Sequence, residues 1–145
     1  MKVLGVDPHS AKPYGWAVVE DGRLVSSGLA DVKQLFGLMD SALFGRADLV
    51  AVEDQYLSRN YKVAKELSTS AGKALGAAEL LDIPAVSVNV AKWKAAFNCS
   101  AGKGSHVHAV SMVLCLPCGL GELGDDEASA AGIAWYAWSE AAKKV

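Results

Sequence analysis

Three acidic positions carry the chemistry that can be read from this chain. Asp7 closes a short apolar run, Lys2 to Val6, and Pro8 follows it at once. The run is long enough for one strand and too short for a helix. Proline has no N–H to donate, so the ladder stops there. Asp7 is therefore expected where a buried strand opens into a loop. A carboxylate in that place needs a cation or a hydrogen-bond donor, and the ordinary alternative is a turn capped with Ser10. A second acid, Glu53, ends the apolar run Leu49 to Val52, and a third group, Asp125-Asp126-Glu127, opens an alanine-rich stretch. Carboxylate oxygens are hard ligands, and sets of them suit Mg²⁺ or Mn²⁺.

The elements that must position these acids follow from periodicity. Tyr14–Glu20 and Arg23–Gly28 are two β-prone runs joined by Asp21-Gly22, a strong short hairpin signal. Val32 to Phe44 has apolar residues at helical spacing, with Asp31 as N-cap. Leu49–Val52 is continuously apolar, as in a strand buried on both faces, and follows a helix, so it is expected to lie parallel to the first strand. Tyr61 to Leu81 reads as a long helix, Pro84 to Val88 as a fifth strand and Ala91 to Phe97 as one or two helical turns. Ser100 to Gly104 reads as a flexible basic loop. His106 to Leu116 is expected to be a helix stopped by Pro117, and Asp125 is expected to N-cap a last helix to about Ala142. Two parallel neighbours place their carboxyl ends side by side, ~5 Å apart. Sites in such sheets sit at those ends, so Asp7 and Glu53 are expected to face one another across one metal ion.

A chain of 145 residues with 52% hydrophobic and 21% charged residues fits one domain, residues 1–145, with a substantial core. No stretch approaches ~20 uninterrupted apolar residues, which argues against a membrane span. No signal-peptide layout is present, and three cysteines do not make a secreted disulfide framework. The expected location is the cytoplasm. The net charge of −2 hides a segregation: residues 1–58 carry 5 basic and 8 acidic side chains, residues 59–103 carry 7 and 3, and residues 104–145 carry 2 and 5. The candidate metal ligands lie in the acidic outer thirds, and the positive charge lies between them.

The element order, three antiparallel strands, helix, strand, long helix, strand and closing helices, is that of the α/β ribonuclease H-like fold, a five-stranded mixed sheet flanked by helices. The motifs narrow it. Gly5-Val-Asp-Pro8 with Tyr14-Gly-Trp-Ala-Val18 resembles the opening of the RuvC-type Holliday junction resolvases. So does Val52-Glu-Asp-Gln-Tyr-Leu-Ser-Arg-Asn60, in the spacing of its acid, aromatic and Asn. Lys92 through Lys103 keeps a family spacing of two lysines, and Asp126-Glu-Ala-Ser-Ala130 falls where the family's C-terminal acidic helix starts. The resemblance runs nearly end to end.

It implies metal-dependent hydrolysis of phosphodiester bonds in branched DNA such as a four-way junction. Asp7, Glu53 and Asp126 would hold Mg²⁺ or Mn²⁺, and Asp125 would either add a ligand or cap its helix. Lys103 would neutralise charge on the scissile phosphate, and Lys92 and Lys94 would hold neighbouring backbone. Tyr56 would stack on a base, with Arg59 and Asn60 beside it on the DNA. The family's last acid is replaced by Ser129, one helical turn from Asp126 and on the same face, where a hydroxyl ligates weakly or through water. A homodimer through the helix at 61–81, which carries Gly72, Gly76 and Ala77, would match the two-fold symmetry of a junction.

Two rivals remain at this stage. A junction-binding protein with weakened catalysis follows if Ser129 leaves the site short of a ligand. An actin-like ATPase or sugar-kinase relative also ends its first strand in Asp, but needs a later Gly-rich phosphate loop and a longer chain. His106-Val-His108 and Cys115-Leu-Pro-Cys118 invite a zinc reading. The histidines are closer than a standard H-x₃₋₅-H pair, and free thiols are the simpler reading.

Overall fold

The computed structural model describes residues 1–54, 61–99, 104–114 and 123–144, with the side chains of residues 61–65 and 67 excepted. Five strands form one sheet in the order β3-β2-β1-β6-β7. They are β1 (Lys2–Asp7), β2 (Tyr14–Glu20), β3 (Arg23–Ala30), β6 (Leu49–Asp54) and β7 (Ala85–Asn89). β1 pairs antiparallel with β2 and parallel with β6, and β6 pairs parallel with β7. This is the α/β, ribonuclease H-like arrangement expected from the element order.

The hairpin forms where Asp-Gly predicts it. Asp21 and Gly22 have φ of 50° and 80°, the two positive values a type I′ turn needs. The first helix is shorter than its periodicity suggests. α1 spans Val32–Met39, with Asp31 and Gln34 closing a capping box, and the chain then makes a small hairpin of β4 (Asp40–Ser41) and β5 (Gly45–Arg46). Ser41 Oγ accepts the Phe44 N–H at 2.7 Å, an alternative to the helix ladder that short polar side chains offer. The turn also brings Phe44 to Trp16, with ring centroids 6.2 Å apart.

The alternation of β1 sorts the core into two layers. Leu4 and Val6 join Val18, Val50 and Val52 in packing against α1 and α2 (Tyr61–Leu80) through Leu35, Met39, Ala74 and Ala78. The Tyr14 hydroxyl ties α2 to β2 by donating to the Ser70 carbonyl at 2.9 Å. Val3, Ala17 and Ala51 face α3 (Val90–Ala96), α4 (Ser105–Leu114) and α5 (Asp125–Ala142) through Trp93, Val110, Ala130 and Ala134.

On this second face α5 touches the sheet backbone directly. A Cβ placed on Gly5 would lie 2.1 Å from the Ala130 carbonyl oxygen, and one on Gly15 would lie 2.3 Å from the Asp126 carbonyl oxygen. Gly15 is the Cα partner of Asp7 across the β1–β2 ladder. The bare backbone there is what lets the first turn of α5 rest beside the end of β1. Among the described residues, no helix is long and apolar enough to cross a membrane.

The two crossing glycines and a glycine on the open face of α2 should respond oppositely to the same change. Gly5→Ala or Gly15→Ala forces backbone apart and should cost at least the ~1–3 kcal/mol of an overpacked core. Gly72→Ala meets open space and should stabilise α2 by up to ~1 kcal/mol. Urea denaturation of the three variants measures the contrast.

Candidate active site

The carboxyl ends of β1 and β6 meet as expected. Val6 pairs with Val52, so the next residue on each strand, Asp7 and Glu53, stands at the same end of the sheet. By the alternation that sends Gly5 and Ala51 towards α5, both acids face the α5 side. Both are buried, at 6% and 9% exposure.

The third acid arrives through the Gly15 contact. Asp126 lies in the first turn of α5, where the helix dipole favours negative charge. The N-cap is Gly124, without a side-chain cap, and not Asp125 as expected. The reason lies in where the three acids of this turn are drawn. Asp125 Oδ1 lies 3.0 Å from His106 Nε2, Asp126 meets the β1–β2 loop, and Glu127 accepts the Ser27 hydroxyl at 2.9 Å. No carboxylate of the turn is left to fold back on the helix end.

The loop contributes a residue that the sequence reading missed. His9 Nε2 lies 3.0 Å from Asp126 Oδ1 and 3.4 Å from Asp7 Oδ2. One ligand atom from each of Asp7, His9 and Asp126 falls within a 4.8 Å span. Cis ligands around an ion with ~2.1 Å bonds are themselves about 3 Å apart, so the three atoms suit a single cation. The His9 Nε2 atom is buried and meets strict hydrogen-bond geometry with neither oxygen. Lys12 Nζ spans the same carboxylate, 3.1 Å from Asp126 Oδ2 and 3.4 Å from Oδ1. The sequence marks His9 only by its place two residues after Asp7. Among the described residues these three form the one such group, and neither His106 nor His108 belongs to it.

Glu53 stands beside this trio and is not part of it. Its Oε2 accepts the indole N–H of the fully buried Trp93 at 2.9 Å. Burial, with the Asp7 charge adding to it, pushes the Glu53 carboxyl up to about 7, against the Trp93 hydrogen bond and the Lys94 and His9 charges. Trp93 also meets the His106 ring edge-on, at 6.0 Å and 82°. His9 is raised above its ordinary value, first by the Asp7 carboxylate and further by Asp126, against burial and Lys12.

The remaining expected residues fall in three groups. Lys94 is half-buried with Nζ 5.8 Å from the Trp93 ring centroid, and Lys92 is exposed on α3. Ser129 is buried, and its hydroxyl donates to the Asp125 carbonyl at 3.3 Å. That bond turns the O–H back along the helix, and Asp125 meets His106. Tyr56, Arg59, Asn60, Lys103, Cys115 and Cys118 lie outside the described residues.

No protein-family model and no curated protein matches the chain. Solved structures do. Thermus thermophilus RuvC in complex with a Holliday junction substrate superposes with a TM-score of 0.79 at 23% identity, covering 99% of this chain and 96% of that one. The fold is that of the RuvC resolvases. A second Thermus thermophilus RuvC structure gives 0.77 at 22% identity over 99% and 97% of the two chains. The yeast mitochondrial Holliday junction resolvase Ydc2 gives 0.58 at 16% identity over 98% and 80%. In this chain the carboxyl ends of β1 and β6 and the start of α5 meet at one place, which holds Asp7, Glu53, Asp126 and His9.

The Glu53 environment sets a pH dependence for the metal-free protein. A carboxyl whose pKa is 4.5 in the unfolded chain and about 7 when folded binds its proton more tightly in the folded state. Its contribution to stability is full below pH 4.5 and is lost as pH rises through 7. The raised His9 acts in the same direction. In EDTA, unfolding free energy should fall by about 3 kcal/mol between pH 5 and pH 8, and Glu53→Gln should remove most of that slope. Urea melts across this range are the measurement.

Proposed function

We propose that this protein is a divalent-metal-dependent endonuclease of the RuvC type, which cleaves phosphodiester bonds in branched DNA such as a four-way junction. The observation that carries the reading is the convergence of Asp7, His9 and Asp126, beside Glu53, at the strand ends of a fold shared with Holliday junction resolvases.

The donor set fits a hard or borderline divalent cation, with Asp7, Asp126 and Glu53 as oxygen donors and His9 among them. When bound, such an ion activates water and stabilises charge on the phosphate. The protein's own residues prepare the place. Asp7 is fixed by the end of β1 and Asp126 by the bare backbone of Gly15. Trp93 holds one oxygen of Glu53 and so sets the direction of the other. Because Glu53 retains its proton up to about pH 7, ion uptake there releases a proton, and affinity should rise with pH. Lys94 and Lys92 add positive charge on α3 for the DNA backbone. The segment 55–60, which follows Asp54 directly in the chain, carries Tyr56, Arg59 and Asn60 for base stacking and backbone contact. Lys103 serves the scissile phosphate.

Asp7→Asn should abolish junction cleavage in Mg²⁺ or Mn²⁺ while leaving junction binding within a few-fold of wild type, since binding rests mostly on phosphate contacts. The loss should exceed the ~100-fold typical of removing a group one shell further from a metal. Cleavage of a labelled four-way junction, beside a linear duplex and a gel-shift assay, measures it. A variant that still cuts at near-normal rates is the result that sinks the reading.

A second copy of the chain is the expected partner. Between α1 and α2 runs an apolar groove lined by Val32, Phe36, Gly76, Ala77 and Leu80, with Leu80 80% exposed. We read this face as a homodimer contact. Gly76→Arg should give monomers in analytical ultracentrifugation and lose paired cutting of the two junction strands. Wild-type protein that stays monomeric at high concentration rules the contact out.

A further inference from the structure

We propose that His9 ligates the cation through Nε2, taking the place that Ser129 does not fill, and that this nitrogen makes the site prefer Mn²⁺, Co²⁺ and related first-row ions over Mg²⁺. The inference rests on the metal site of the proposed function and asks which residue completes it and which ion it selects.

Three observations carry it. Nε2 is buried, lies 3.0 Å and 3.4 Å from oxygens of Asp126 and Asp7, and is aligned with neither for a hydrogen bond. A neutral imidazole lone pair facing two carboxylates is repulsive until a proton or a cation lies between them. Ser129, which follows Asp126 by one helical turn, carries no charge and points its O–H at the Asp125 carbonyl, while Asp125 itself meets His106 and Glu127 meets Ser27. The first turn of α5 therefore offers one carboxylate to the site, Asp126. Finally, Lys12 Nζ lies 3.1 Å from Asp126 Oδ2 and 3.4 Å from Oδ1, so Oδ1, the oxygen turned towards His9, is the less closely held of the two.

Exchanging a carboxylate for an imidazole changes the ion the site favours. The site loses one negative charge, which weakens its hold on Mg²⁺, an ion that takes oxygen and keeps its waters. It gains a nitrogen donor, which later first-row ions accept readily, in the order Mn²⁺ < Fe²⁺ < Co²⁺ < Ni²⁺.

The test measures binding to the DNA-free protein after removal of metal by chelation. Pulsed EPR of bound Mn²⁺ should show hyperfine coupling to a nitrogen in wild type and none in His9→Ala. In titrations, His9→Ala should weaken Mn²⁺ binding by about tenfold or more and leave Mg²⁺ binding within about threefold. His9→Asp should reverse the preference by restoring an oxygen donor. Thermal melts confirm that both variants are folded, and His9→Gln serves if either is not. A wild-type site with no nitrogen coupling, or a His9→Ala protein that binds Mn²⁺ like wild type, overturns the assignment. Junction cleavage by wild type is followed in parallel in each metal. If wild type cuts and His9→Ala binds Mn²⁺ normally, the ligand assignment fails alone. If His9→Ala loses Mn²⁺ and no junction is cut, the ligand stands and the nuclease reading fails.

Discussion

The structure depends on a crossing of bare backbone. α5 lies on β1 and β2 where Gly5 and Gly15 carry no side chain, and a single Cβ at either would meet a helix carbonyl at 2.1 or 2.3 Å. From that contact the rest follows. The alanine-rich face of α5 sinks onto the sheet, Trp93 packs over Gly132 of the same helix, and the first turn of the helix ends beside Asp7. The glycine opposite Asp7 in the ladder is thus the reason an acid from the C-terminal part of the chain can join two acids from the strands.

Much of this was legible before any coordinates. The hairpin was written in Asp21-Gly22, the parallel pair in the continuous apolar run before Glu53, and the strand end in Pro8. Those signals are local, and they decide which elements exist and how they alternate. The end of α1 was less legible, because Ser41 and the need to cover Trp16 with Phe44 outweigh a helical spacing that continues to residue 43. The Asp125 cap failed for a similar reason: its carboxylate has a nearer claim in His106, on a helix that the local sequence cannot see.

The site was legible in its acids and illegible in its nitrogen. Asp7 and Glu53 are marked by ending buried strands, and Asp126 by opening a helix. His9 has no periodicity to mark it, since it lies in a loop whose direction only the fold supplies. The role of Trp93 was equally hidden. A tryptophan in an amphipathic turn reads as core, and it is core, but its one polar atom is spent on a carboxylate that burial would otherwise leave poorly solvated. Lys92 and Lys94 were both read as DNA-facing. Lys92 is exposed, and Lys94 is half-buried and also close enough to influence Glu53.

The β1–β2 loop brings His9 within reach of an acid that belongs to a helix more than a hundred residues later. What the scaffold defines is therefore a point in space on which distant chain segments converge. Side chains from the loop and from the helix both reach it. The two glycines beneath admit none. In this architecture the side chains that meet there are the variable part and the empty positions are the fixed ones.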